Sequence, residues 1–313
     1  ASVQALNSPT VMSDWGARMF ATDSSVYDPR HYNHGAVFPY LTNFVTLALF
    51  AHGHAFAAHQ VLFAQVALTH FGGLGFLEEH LEGERAQIPK RGVPHQIFSS
   101  AALVESTLLG LFGLEASAAE RRIVLRPPLP PHWDDVRLVN ARVGETRLDV
   151  RLYRRREPGA TVLGLELEQG EGPSLQIGFA PVLPPLTKLL DGPGWLRPSG
   201  AVVPRRLHRS MGEPLTLEAR VLEGPAVILP AYLPERGATS QAVRLVAQRL
   251  EADGLHWTFA APAGSVAALP FFCDFEVEVT GAELVAGELQ LVFAEAGAGG
   301  DGWARVEVGI RPR

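Results

Sequence analysis

Apolar residues change their spacing partway along this chain. In the first part they recur at helical intervals: Leu41, Phe44, Val45, Ala48 and Leu49 follow the i, i+3, i+4 spacing of one helix face. Pro39 suits the first turn of that helix, where its missing N–H costs nothing. The segment from Ala55 to Thr69 is apolar on nearly every side, which predicts a helix buried over most of its surface. A third helix is expected from Ile97 to Phe112, with Ile97, Ala101, Val104, Leu108 and Leu111 as its stripe and Gly113 closing it. Beyond about residue 116 the period becomes two. In TRLDVRLYR, Leu148, Val150 and Leu152 alternate with Arg147, Asp149 and Arg151. The pattern returns at Leu215, Leu217, Ala219 and Val221, at Leu289, Leu291 and Phe293, and in WARVEVGI near the end. Such strands, separated by Gly/Pro turns, predict antiparallel sheets packed face to face. The proline-rich run from Pro127 to Trp133 reads as a rigid crossover from helices to sheets, and Arg154 to Arg156 as a solvated strand end.

The expected organisation is therefore α+β, with helical residues 1–116 followed by a β-rich domain over 117–313 whose sub-sheets part near 170–200. A length of 313 residues accommodates about two domains. The net charge of −6 argues against a nucleic-acid footprint, which needs a clustered basic face. A single cysteine, Cys273, excludes an internal disulfide framework and suits a reducing compartment. No uninterrupted apolar stretch of about 18 residues is present, so no membrane span is expected. The opening residues lack the basic and apolar regions of a signal peptide, and a cytoplasmic location is expected.

Two loops stand out from the generic core. DPRHYNHGAVFPY precedes the first helix, and GFLEEHLEGERAQIPKRGVPHQIFSS precedes the third. Polar and aromatic groups on loops anchored by apolar helices are a common way to build a site. Saccharide sites combine aromatic platforms with carboxylates, amides and imidazoles, and these loops supply Tyr32, Asn33, His34, Phe38, Tyr40, Glu79, His95 and Gln96. A metal is not indicated: His52 and His54 are two apart and do not share a helix face.

The second loop resembles the signature of the glycogen-debranching, or amylo-α-1,6-glucosidase-like, branch of the glycoside hydrolases. The matching elements are Glu79, His80-Leu81, Glu82, Gly83 and Glu84, then Arg91-Gly92, Gln96, Phe98 and Ser99. The first loop is similar to a second family element through Tyr32, Asn33, His34, Gly35, Val37, Phe38 and Pro39. The resemblance implies the C-terminal helices of an (α/α)₆ barrel followed by an antiparallel β-sandwich-type domain. It also implies an inverting hydrolase of α-linked glucosides, in which two carboxyls stand roughly 6.5–9.5 Å apart to admit a water. Glu79 matches the general base, with Tyr32, Asn33, His34, Phe38, His95 and Gln96 forming the sugar subsite. The general acid would lie in an N-terminal barrel segment missing from this chain, on the same or a separate polypeptide. The isolated chain is then expected to be inactive. The partner is an oligo- or polysaccharide, and no cofactor or metal is implied. The alternative is a non-catalytic carbohydrate-binding or structural module.

Overall fold

The computed structural model describes residues 3–73, 75–191, 205–206, 214–295 and 302–313. The chain divides into two compact units. One comprises Ala1–Gly110, Val227–Phe271 and Val277–Arg313; the other comprises Leu111–Ala226 and Phe272–Glu276. The change of period near residue 116 lies close to the first join, while the C-terminal strands belong to the unit that holds the helices. Residues 192–200, within the expected sub-sheet boundary, lie outside the described residues.

The second unit is a β-sandwich. Its larger sheet runs in the order Asp135–Val143, Thr146–Glu157, Ala160–Gln169, Leu215–Leu222, Lys188–Asp191, all antiparallel. Its smaller sheet runs Arg205–Arg206, Gln176–Phe179, Arg122–Leu125, Leu114–Ser117, with the central pair parallel. Leu148, Val150, Leu152, Leu165 and Leu167 from the larger sheet share one core with Ile123, Leu125, Ile177 and Phe179 from the smaller. The alternation read from TRLDVRLYR is kept, since Leu148 is buried and Arg147 exposed. Gly164 lies opposite Tyr153, and a Cβ there would sit 2.1 Å from the ring, so the phenol covers bare backbone. Arg154 corrects the expectation of a solvated strand end: it is buried and bonded to Glu223 and to two carbonyls.

The first unit contains helices α1 (Pro39–Ala51), α2 (Ala55–Leu68) and α3 (Ile97–Glu105), the last running into a π turn. It also holds two four-stranded sheets. One is ordered Arg244–Glu251, Gly254–Pro262, Trp303–Pro312, Val277–Thr280, and the other Ala226–Val227, Val266–Phe272, Glu288–Val292, Glu283–Val285. Trp257 and Phe271 meet between them at 6.4 Å.

The (α/α)₆ expectation is overturned. The described residues contain three α-helices and are mostly β, in five sheets. The all-round apolar character of α2 does demand burial, and Phe56 to Leu62 are all buried. Much of what covers this helix, however, is not helical. Phe56 packs edge-on against Trp257 at 5.9 Å. Gln60 Nε2 donates to the Pro230 and Val243 carbonyls, and Gln65 Nε2 to the Trp15 carbonyl. Periodicity registers burial and leaves the covering element open. No helix is long and apolar enough to cross a membrane among the described residues.

Helices α1 and α3 also turn an unexpected face inward. The interior residues of α1 include Thr42, Asn43 and Thr46, and those of α3 are Ser99 and Ala102. These polar groups are satisfied locally. Thr42 Oγ1 donates to the Phe38 carbonyl, Asn43 Nδ2 to Pro39, Thr46 Oγ1 to Thr42, and Ser106 Oγ to Asn43 Oδ1. The apolar stripe read from the sequence consequently points outward in part. Ile97 is 75% and Phe98 63% exposed. Tyr40 contacts Phe44 at 5.0 Å and Phe98 at 6.0 Å, which makes one aromatic surface.

Candidate functional site

The two loops singled out in the sequence are hydrogen-bonded to each other. Val37 and Leu81 exchange both backbone bonds, at 2.9 and 2.8 Å. The Gly83 N–H donates to the Pro29 carbonyl at 2.8 Å. A Cβ on Gly83 would lie 2.1 Å from the Gly35 carbonyl oxygen, so glycine allows the two backbones to touch. The fully buried Trp15 indole donates to the Glu82 carbonyl, and Arg18 Nε to that of Gly83. On its other edge the same segment is held by Glu79 N–H to Val93 and Gln96 N–H to Leu77, both 2.9 Å. Residues 77–81 are thus fixed from two sides.

Glu79 is the functional group this frame presents. Its side chain is 21% exposed, and Oε1 accepts the Tyr32 hydroxyl at 2.7 Å. Oε2 stands 3.6 Å from His80 Nδ1, beyond hydrogen-bond length. The Phe38 and His80 rings stack at 5.5 Å, and Tyr32 meets both edge-on at 4.9 and 4.8 Å. Burial pushes the His80 imidazole below its usual range despite Glu79 beside it, which favours a neutral ring. The Tyr32 phenol is pushed up, first by its hydrogen bond to Glu79 and then by burial. A carboxylate opposes phenolate formation, so Glu79→Gln should lower the Tyr32 pKa towards the ordinary tyrosine value. An alkaline NMR titration of the tyrosine rings checks this; an unmoved Tyr32 would break the contact.

Of the residues singled out in the sequence, Glu79, Tyr32 and Phe38 are brought together. Other expected residues make their described contacts elsewhere. His34 stacks on His31 at 4.0 Å, and the Asn33 N–H donates to His31 Nδ1. His95 stacks on Phe76 at 4.5 Å. Gln96 stands at the N-cap position of α3, partly buried, and its side chain makes no capping bond; only its N–H joins the frame, through the Leu77 carbonyl. His80 was missed: it entered the sequence reading only as a matching position of the resemblance, yet its ring forms one wall beside Glu79. An imidazole next to the carboxylate was the available signal.

A possible metal group among the described residues lies apart from these loops. Ligand atoms of Glu251, Asp253 and His256 fall within 4.8 Å of one another. Asp253 already accepts from His256 at 2.8 Å and Arg311 at 2.7 Å, so the group reads as an exposed ion-pair cluster.

The site's chemistry is a partly exposed carboxylate, oriented by a phenol and flanked by aromatic faces. It is suited to accept hydroxyl hydrogens or to draw a proton from water. No family model, no curated protein and no solved structure matches the chain.

Proposed function

We propose that this chain carries the water-activating half of an inverting glycoside hydrolase site for α-linked glucosides. Glu79 is the general base, Tyr32 orients it, and the Phe38–His80 stack supplies a face for a pyranose ring. The observation that carries the reading is the Tyr32–Glu79 hydrogen bond at the meeting of the two loops. Tyr32 leaves the second carboxylate oxygen open to a water or sugar hydroxyl. The resemblance in sequence adds the reaction class. A general acid from another segment completes the pair, and the isolated chain binds saccharide without turning it over. A cytoplasmic location belongs to the same proposal and rests on the single cysteine.

A second reading has its own support: the mostly β architecture and the outward Tyr40–Phe44–Phe98 surface suit a module that binds glycan without hydrolysing it. Glu79→Gln separates the two. It keeps the shape of the side chain and removes the base, a loss of roughly 10²–10⁴-fold in hydrolysis when the acid-bearing segment is present. Maltotriose affinity of the isolated chain should change little. Unaltered hydrolysis would remove Glu79 from catalysis, and failure of the isolated chain to bind maltotriose would remove the saccharide site.

A further inference from the structure

Directly before Glu79 lies a carboxyl that the site as described does not use. Glu78 is 0% exposed, and neither of its oxygens has a hydrogen-bond partner. It is closely covered: a Cβ on Gly72 would lie 1.6 Å from Oε1, and Ile88 Cδ1 lies 2.7 Å from that same point. Only its backbone is engaged, the carbonyl accepting Ser99 Oγ at 3.1 Å. The groups that favour charge on it are its own backbone N–H, Arg236 and His95; burial outweighs them and pushes the carboxyl up. Arg236 is also engaged with Phe71, through the carbonyl at 2.9 Å and over the ring at 5.4 Å. His95 is drawn into its stack on Phe76. A buried carboxylate with no bonded partner is strongly disfavoured, and the group responds by keeping its proton or by leaving.

We propose that Glu78, in its un-ionised form, is a positioning residue: seated under Gly72, it holds residues 77–81 in the register that presents Glu79, and its ionisation releases them. Because Glu79 N–H to Val93 and Gln96 N–H to Leu77 close the same edge, release of Glu78 opens both bonds and unseats Glu79 from Tyr32. The sign follows from linkage. A carboxyl whose acid form the fold favours stabilises the fold below its unfolded pKa, and that stabilisation fades as pH rises through the folded pKa. The site is therefore best formed on the acid side. This inference rests on the saccharide reading only for what the seated Glu79 does, and the closing experiment keeps the two apart.

The experiment compares the full chain with Glu78→Gln, and with Glu78→Met as a second uncharged side chain should the first fold poorly. Amide exchange at Glu79 and Gln96, corrected for intrinsic rate, is followed from about pH 5 to about pH 9, alongside maltotriose affinity. In the wild type, protection should fall by up to about tenfold per pH unit once Glu78 ionises, and affinity should fall in parallel. Both variants should hold protection and affinity level. Identical pH profiles for wild type and variants would overturn the proposal, as would maltotriose affinity that stays constant while protection falls. A pH-dependent seat in a protein that binds no maltotriose at any pH would uphold the Glu78 seat and refute the saccharide reading.

Discussion

Asp14→Ala is expected to destabilise the protein by about 3–5 kcal/mol, the range for removing one partner of a buried ion pair. Asp14 and Arg244 meet at 2.6 Å with side chains 5% and 2% exposed. The second Asp14 oxygen accepts the Tyr232 hydroxyl and the N–H groups of Gln241 and Ala242. Loss of the carboxylate leaves a buried guanidinium without its counter-charge and strands three further donors. A second readout travels with it. Tyr232 is held at about 12, by burial first and by Asp14 next, so its titration should drop partway in the variant. Calorimetry and an alkaline titration check both; a variant that melts with the wild type would show that water reaches Arg244.

Arg154→Ala should cost a similar ~3–5 kcal/mol in the β-sandwich, lowering the midpoint of thermal unfolding by on the order of 10 °C. Arg154 makes a two-pronged bond to Glu223, Nε at 3.0 Å and Nη2 at 3.1 Å, and Nη1 reaches the Pro130 and Trp133 carbonyls. One side chain thus ties the strand Thr146–Glu157 to the proline-rich segment, which joins strand Arg122–Leu125 to strand Asp135–Val143 and is not the expected passage from helices to sheets. Arg154→Lys should rescue little, because a single ammonium cannot reproduce a planar fork. Recovery to wild-type stability in the lysine variant would mean that charge alone suffices.

Both residues show where sequence reasoning stops. Alternating positions such as Leu148, Val150 and Leu152 are legible because a strand has two faces and only one is buried. Charged residues obey no such period. Asp14 sits in a segment with no motif, and its partner is 230 residues away. Arg154 stands in a run of three arginines that looks alike from end to end, yet it is buried while Arg155 is exposed. The helices show the complementary failure. Thr42, Asn43 and Thr46 can face inward because each bonds the carbonyl four residues earlier, which makes a polar side chain cheap to bury. At the candidate site, Tyr32, Phe38 and Glu79 were legible because their loops carry dense local patterns. His80 and the buried Glu78 were not, since nothing in the sequence tells which of residues 78–80 turns inward.

The outward aromatic surface of Tyr40, Phe44 and Phe98 has a practical bearing on how this protein is handled. Hydrophobic dyes such as anilinonaphthalene sulfonate brighten on exposed apolar surface, and such brightening is one of the usual marks of a molten globule. Here the folded chain should already light the dye, and substitution of Phe98 by serine should dim it without loosening the fold. A bright signal before heating would then report native protein. Near-ultraviolet circular dichroism is the safer monitor of unfolding, because Trp15 and Trp257 are both fully buried and lose their fixed surroundings only when the packing itself is lost.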